Sequence, residues 1–339
     1  MNALIGEHAT MLPWIWAAIL AVAVAMYVLL DGFDLGVGML FQLFPAEADR
    51  DKMMNSVAPF WDGNGTWLVM GGGGLWVAFP RAYAIIMPAL YLPIITMLLA
   101  LILRGVSFEF RWIGKPNHRI WDLAFSGGST LAAFCQGLVL GGLLQGIKVA
   151  NGSFAGGAFD WFTPFALFCG VCVVIGYALL GACWLVLKTE HDLQARARKL
   201  AKPILFAMLL CIAIVSIWTP IMLPRIHDRW FSVPNFYWLS QVPLATLIVA
   251  WLCWRGLQKA YTLQPFIAAI GLFLLAYAGL LISNVPYLVP PVLTITDAAA
   301  APASQQFLLI GTVFLLPVIL GYTVFVYWVF RGKVGEGYH

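Results

Sequence analysis

Two carboxylates, Asp31 and Asp34, interrupt the first apolar segment of the chain near its end, in the string LDGFDL at 30–35. An ionisable side chain at membrane depth costs about 2.5–3.5 kcal/mol on insertion scales and commonly marks a path for protons, ions or substrate. The i, i+3 spacing places both carboxylates on one face of a helix. A third acid, Asp62, lies just inside the next apolar segment. Together, these acids predict a route for protons or cations.

The composition indicates that the elements carrying these acids are membrane-spanning helices. Of the 339 residues, 62% are hydrophobic and 10% are charged, whereas ordinary globular chains are roughly 25% charged. A spanning helix needs about 20 apolar residues, and such segments recur along the chain. A β-barrel would instead show short alternating segments. We therefore predict an all-α polytopic membrane protein, with a single transmembrane domain over residues 1–339.

The hydropathy pattern predicts about nine transmembrane helices. Their approximate limits are 13–40, 57–79, 82–104, 122–146, 163–187, 203–223, 240–255, 263–284 and 305–330.

Lysine and arginine are distributed unevenly between these spans: 15 lie in the odd-numbered loops and the C-terminal tail, and 4 lie in the even-numbered loops. The positive-inside rule therefore predicts an N-terminus outside and a C-terminus in the cytoplasm. In this orientation Asp31, Asp34 and Asp62 converge in the cytoplasmic halves of two neighbouring helices. That placement suits the uptake of protons from the cytoplasm.

Small residues recur at spacings that suit helix packing. Gly32 and Gly36 are four residues apart, a separation that lets membrane helices approach closely. The glycine tract at 71–74 lies in the middle of a span, where glycine is unfavourable for a helix. This tract predicts a close contact with another helix or a locally irregular helix.

The histidines limit what this chain could bind. Residues 8, 118, 191, 227 and 339 are histidine, and none lies inside a predicted span. Haem held by two histidines within a membrane bundle requires imidazoles inside the spans. The chain alone is therefore predicted to be a poor haem carrier, and we predict no metal site in it.

Longer strings around the acids carry a specific resemblance. The string DGFDLGVGML at 31–40, taken with PFWDGN at 59–64 and Trp67, resembles subunit II of the cytochrome bd-type quinol oxidases. The string RGVSFEFR at 104–111 and the dipeptide WD at 121–122 are similar to later segments of the sequences in that family. The layout of nine spans with the N-terminus outside also resembles the family along the whole chain.

The resemblance implies a respiratory-chain complex that oxidises quinol, such as ubiquinol, and reduces oxygen to water. It implies two four-helix bundles plus one extra helix in the bacterial cytoplasmic (inner) membrane. Haem b and haem d would be held mainly by the partner, subunit I, so no catalytic residue is expected in this chain. Subunit II would stabilise subunit I and could hold a structural quinone. Membrane lipid and a small single-span subunit are further expected partners; nucleic acid is not.

Carried over by position, Asp34 and Asp62 resemble acids of a cytoplasmic proton path, and Asp31 belongs to the same motif. Asp122 and Asn64 are further candidates, although a helix start at the membrane edge and a backbone contact explain them more simply. Trp67 resembles a tryptophan beside the family's proposed oxygen route. The remaining motif residues are assigned to packing: Gly32, Phe33, Gly36, Gly38, Trp61 and Gly63.

Two departures and two alternatives stay open. Leu30 stands where some members carry a hydroxyl residue, and the short loops near 225–239 and 286–304 indicate the cyanide-insensitive branch. A secondary transporter or ion channel would also contain intramembrane acids and broken glycine-rich helices, although we find no inverted repeat. A pure assembly scaffold is the third interpretation.

Overall fold

The computed structural model describes residues 2–114 and 118–335, with side chains described from residue 11 onward. Helices make up most of this part of the chain. They are α1 Asn2–Leu40, a 3-10 helix Phe41–Leu43, α2 Glu47–Val57, α3 Trp61–Ala78, α4 Pro80–Ala89, α5 Tyr91–Ile113, α6 Arg119–Gln145, α7 Pro164–Lys188, α8 His191–Met222, α9 Pro224–Phe231, α10 Asn235–Leu239, α11 Gln241–Gln258, α12 Leu263–Asn284, α13 Ile295–Ala298 and α14 Pro302–Val329. Two small hairpins pair β1 Val149–Ala150 with β2 Ser153–Phe154, and β3 Tyr287–Val289 with β4 Leu293–Thr294.

Within the described residues, eight helices are long and apolar enough to cross a membrane. They are Met11–Leu43, Tyr91–Ile113, Arg119–Gln145, Pro164–Lys188, His191–Met222, Asn235–Gln258, Leu263–Asn284 and Pro302–Val329. All eight overlap spans predicted from hydropathy, so the prediction of an all-α polytopic protein is confirmed.

The third predicted span was placed too early in the chain. Residues 82–89 belong to the separate short helix α4, and the membrane-crossing helix α5 begins at Tyr91. Pro88 and Pro93 lie on either side of this break. A proline has no backbone N–H and is tolerated mainly in the first turn of a helix. Pro93 therefore fits the start of a new helix better than the middle of a continuous one.

The second predicted span corresponds to α3, which is not among the eight apolar helices. Its 18 residues include six glycines together with Asp62, Asn64 and Thr66, and these lower its hydropathy. A helix of that length is about 27 Å long, which is close to the thickness of the hydrocarbon core. The ninth span therefore stays a prediction.

Helix α1 lies at the centre of the structure and packs against α3, α6 and α7. One group of helices is formed by α1, α3, α5 and α6, and a second by α7, α8, α11 and α12, while α14 packs on α1 and α3. The division into two four-helix bundles plus one extra helix stays a prediction, since α7 packs on α1 and α6 as extensively as on α8. The acids of α1 thus lie where both groups meet.

Glycines allow α1 to approach its neighbours closely. A Cβ atom at Gly36 would overlap the backbone of Tyr177 and Gly181 on α7, and one at Gly38 would overlap Ser129 on α6. At Gly32 the added atom would lie 2.8 Å from the Tyr177 ring. Replacing these glycines would therefore separate α1 from α6 and α7.

The other motif residues assigned to packing differ in their surroundings. Phe33 stacks on Trp184 with ring centroids 4.1 Å apart, and Trp61 stacks on Phe108 at 4.8 Å. By contrast, a Cβ at Gly63 would have no described atom within 4 Å. The packing assigned to Gly63 therefore does not occur within the described part of this chain.

The glycine tract of α3 forms a continuous helix, so the locally irregular alternative is not observed. Gly74 contacts Leu20 of α1, which agrees with the predicted helix contact. A Cβ at Gly72 or Gly73 would meet no described atom within 4 Å. The tract therefore contacts α1 on one side and leaves another side open.

Helix α14 is held at its two ends. Near its start, the buried Gln305 donates a hydrogen bond from Nε2 to the Ala78 carbonyl at 3.1 Å. At its end, the buried Lys188 of α7 donates to the carbonyl of Phe330. These contacts place Tyr327, in the last turn of α14, against the interior of the first helix group.

Candidate functional site

Asp31 and Asp34 lie on one face of α1, as predicted, and both are buried: Asp31 is 1% exposed and Asp34 is 0% exposed. Arg104 of α5 faces the pair and is itself 3% exposed. Its Nη1 lies 2.7 Å from Asp31 Oδ1, while its Nη2 lies 3.8 Å from Asp34 Oδ2. One guanidinium group therefore faces two buried carboxyl groups, and it lies much closer to Asp31 than to Asp34.

Asn64 of α3 connects Asp34 to α14. Its Nδ2 donates to Asp34 Oδ2 at 2.7 Å and to the Leu30 carbonyl at 3.2 Å. The hydroxyl of Tyr327 donates to Asn64 Oδ1 at 3.1 Å. Asp34 Oδ1 has no hydrogen-bond partner among the described residues. Some family members carry a hydroxyl residue where this chain has Leu30. Here Leu30 accepts a hydrogen bond through its backbone carbonyl instead.

A second branch leaves Asp31 toward α6 and α7. Tyr27 lies four residues before Asp31 on α1, so the two side chains share one face of that helix. Gln136 Nε2 donates to the Tyr27 hydroxyl at 2.9 Å, and the Tyr177 hydroxyl donates to Gln136 Oε1 at 2.7 Å. The cluster around Asp31 and Asp34 therefore draws side chains from α1, α3, α5, α6, α7 and α14.

The predicted convergence of three acids requires a correction, because Asp62 does not join this cluster. Asp62 is exposed on the surface of α3, while Asn64 is buried and 2% exposed. Residues two apart on a helix do not share a face. Since Asn64 points at Asp34, Asp62 must point away from it.

Asp122 belongs to a separate buried network. It accepts hydrogen bonds from Arg111 Nε at 2.6 Å and Arg50 Nη1 at 2.8 Å, and Arg111 also pairs with Asp51 at 2.5 Å. The network joins α2, α5 and the first turn of α6, where a negative charge is favoured by the helix dipole. No described hydrogen bond or ion pair connects it to Asp34. This geometry fits the simpler interpretation, a helix-start residue.

Trp67 is buried between α3, α1 and α14, where it is 1% exposed and packs with Ala23 and Tyr27. Partly buried side chains of α14, including Leu316 and Leu320, complete this apolar group. The indole Nε1 has no hydrogen-bond partner among the described residues. Trp67 therefore lies next to Tyr27 in an almost wholly apolar environment.

Sequence reasoning missed five members of the cluster: Tyr27, Arg104, Gln136, Tyr177 and Tyr327. Arg104 was counted as a loop charge, whereas it lies inside α5 and is buried. The signal was present, since an arginine flanked by apolar residues in a membrane helix requires an acidic partner. For the tyrosines and the glutamine, nothing in the local sequence distinguishes them from ordinary packing residues.

The three described histidines lie outside the cluster around Asp31 and Asp34. His191 and His227 are largely exposed, and His118 lies beside Glu47 at the start of α6. No group of three or more His, Cys, Asp or Glu side chains in the described ranges could hold a metal ion. Residues 8 and 339 lie outside the described side chains.

Comparisons with known proteins agree with one another. The family model for cytochrome bd terminal oxidase subunit II matches residues 12–330. The chain is 30% identical over 343 residues to cytochrome bd ubiquinol oxidase subunit 2 of Bacillus subtilis, covering 95% of this chain and 96% of that protein. It is 28% identical over 370 residues to cytochrome bd-I ubiquinol oxidase subunit 2 of Escherichia coli K12, covering 95% of each.

The fold is also found in a solved structure. A chain of the bd oxidase from Geobacillus thermodenitrificans matches with a TM-score of 0.80 at 17% identity, covering 94% of this chain and 98% of that one. At this identity the likeness concerns the fold. Taken with the family model and the full-length relatives, it favours the oxidase interpretation over a transporter. The chain belongs to the cytochrome bd terminal oxidase subunit II family and is a membrane subunit of a quinol-oxidising oxidoreductase complex.

Proposed function

We propose that this chain carries protons from the cytoplasmic side toward subunit I while that subunit reduces oxygen to water. The observation that supports this most is the buried cluster in which two carboxyl groups face one guanidinium group. A purely structural ion pair needs one acid for each arginine. A second buried acid without a full partner is costly when ionised and favours binding a proton.

The location of the cluster suits a relay. Oxygen reduction consumes protons, and the reaction takes place inside the membrane, so protons must cross apolar protein through polar side chains. Asp34 lies between Arg104 and Asn64, and one of its oxygens has no described partner. That oxygen is the atom at which we expect a proton to bind and leave.

Asp62 has a different proposed place, at the contact with subunit I. The exposed residues Asp62, Thr66, Val69, Gly73 and Trp76 follow one another at helical spacing along α3. Polar groups and small residues on a membrane-facing stripe favour contact with protein over contact with lipid. We propose that subunit I covers this stripe, so that Asp62 transfers protons between the subunits.

Trp67 supports a proposed route for oxygen. Oxygen is apolar, and the group around Trp67, Ala23 and Leu316 is apolar. We also propose haem b and haem d in subunit I, a structural quinone, contacts with lipid and a small single-span subunit, and the inner membrane as the location. These proposals rest on family membership. The proposed orientation rests on the distribution of lysine and arginine, and the proposed cyanide-insensitive branch rests on the short loops near 225–239 and 286–304.

The test is the turnover of the complete complex carrying Asp34→Asn. We expect assembly to be retained and quinol-dependent oxygen consumption to fall by roughly 10²-fold, the lower range for a positioned proton-transfer group. Asp228→Asn is the matched control, because the Asp228 side chain is 80% exposed on α9. An assembled Asp34→Asn complex with normal turnover would exclude the relay role.

A further inference from the structure

The hydrogen bonds around Asp31 have a fixed direction. The Tyr27 hydroxyl accepts from Gln136 Nε2, so its own proton is left to donate. The ionised carboxylate of Asp31, which can only accept, lies one helical turn away on the same face of α1. The Gln136 amide then donates through Nε2 at 2.9 Å and accepts the Tyr177 hydroxyl through Oε1 at 2.7 Å. Every donor in this branch therefore points toward Asp31.

An amide in the middle of the branch prevents it from conducting protons. Gln136 has no titratable group that could take up a proton on one side and release it on the other. Tyr177, at the end of the branch, is 1% exposed and packs against Phe273 with ring centroids 5.7 Å apart. The branch therefore does not conduct protons, and its role is to donate hydrogen bonds toward Asp31.

The two acids consequently differ in how well their charges are compensated. Asp31 receives the 2.7 Å contact with Arg104 and shares a helix face with the Tyr27 hydroxyl, one helical turn away. Asp34 receives one amide hydrogen bond from Asn64 and a guanidinium nitrogen at 3.8 Å, and its Oδ1 has no described partner. The charge on Asp31 is thus the better stabilised of the two.

The charged and titratable groups facing this pair come from four helices. Arg104 comes from α5, Tyr27 from α1, Tyr177 from α7 and Tyr327 from α14. Helices α3 and α6 contribute only the amides of Asn64 and Gln136. Arg104 is the only cation paired with these acids among the described residues. With one cation and two acids, neutrality of the buried cluster requires one bound proton.

We propose that Asp31 is a positioning residue, held as a permanent anion by Arg104 and the Tyr27–Gln136–Tyr177 branch, and that Asp34 alone binds the exchangeable proton. This inference rests on the proposed relay and revises the expected role of Asp31 as a relay member. It also implies that the two acids are not interchangeable. Removing Asp31 frees Arg104 to pair with Asp34, which then has no reason to bind a proton.

The experiment records the C=O stretch of protonated carboxyl groups in the infrared spectrum of the purified complex. We expect a band that disappears in Asp34→Asn and also in Asp31→Asn, where Asp34 is still present. In Tyr27→Phe and Gln136→Leu the band persists and is half lost at the same pH as in the wild type, because Asp31 is an anion both before and after Asp34 releases its proton. If Asp31 itself took up the proton, losing one hydrogen bond to its anion would raise that pH by about 0.4–1 unit. Tyr277→Phe, which removes a hydroxyl bonded to the Ala21 carbonyl, is the matched control and leaves that pH unchanged.

The possible results of these experiments distinguish the proposed division of roles between Asp31 and Asp34 from the proposed proton relay. A band that survives in Asp31→Asn, or is half lost at a higher pH in Tyr27→Phe and Gln136→Leu than in the control, would overturn the division of roles while leaving a slow Asp34→Asn variant to support the relay. Normal turnover of the assembled Asp34→Asn complex would instead exclude the proposed relay. If Asp31→Asn does not assemble, the two branch variants decide the question alone.

Discussion

Arg104 and Asp31 form an ion pair of 2.7 Å between α5 and α1, and both side chains are almost completely buried. The two residues are separated by 73 positions in the chain. A buried pair of this kind contributes little net stability when complete, because desolvation offsets the Coulomb attraction. Removing only one of the two charged groups is destabilising, because the other charge is left buried without a partner.

Arg104→Gln is therefore expected to be strongly destabilising. Leaving buried carboxylates without their cation typically costs about 3–5 kcal/mol, so the thermal unfolding temperature and yield of the complex should fall. The double variant Arg104→Gln/Asp31→Asn removes both charges of the close pair and should recover most of this loss. Equal stability of wild type and the single variant would show that the pair does not hold α1 and α5 together.

Asp62→Lys is expected to weaken binding of subunit I. Asp62 lies on the exposed stripe of α3, and a reversed charge there would be buried on assembly without a partner. The measurement is the ratio of the two subunits after purification through a tag on this chain. Asp228→Lys on the exposed surface of α9 is the control. An unchanged ratio in Asp62→Lys would mean that subunit I does not cover this stripe.

Asp122→Asn is expected to affect stability but not turnover. The residue pairs with Arg111 and Arg50, and breaking such a network costs up to about 3–5 kcal/mol, reduced here because Arg50 and Asp51 are partly exposed. Oxygen consumption per assembled complex should stay close to wild type. A fall as large as that of Asp34→Asn would instead place Asp122 in the proton path.

Gly36→Ala is expected to prevent stable packing of α1 on α7. The added methyl group would overlap the backbone of Tyr177 and Gly181, and backbone cannot rotate away as a side chain can. Overpacking commonly costs about 1–3 kcal/mol and occasionally more, so the complex should be recovered in lower amounts. Gly127→Ala, where no described atom lies within 4 Å, is the matched control. Normal recovery of Gly36→Ala would contradict the close approach.

Much of the fold follows from local features of the sequence. Long apolar segments predict the spans because backbone groups in lipid must be satisfied within a helix, and eight of these spans are found. The i, i+3 spacing of Asp31 and Asp34 places them on one face whatever surrounds that helix. The motif at 31–40 with that at 59–64 is specific enough to indicate the family, which the family model confirms.

Only the tertiary structure decided which residues these acids meet. Hydropathy does not determine how far a nearly uniform apolar helix is rotated about its axis, so it could not show that Asn64 of α3 faces Asp34 while Asp62 faces outward. That rotation is set by contacts between distant residues, such as Gly74 of α3 against Leu20 of α1. Packing of α5 on α6 likewise brings Arg104 to Asp31. The sequence by itself therefore determined that buried acids exist, and packing between helices determined their partners.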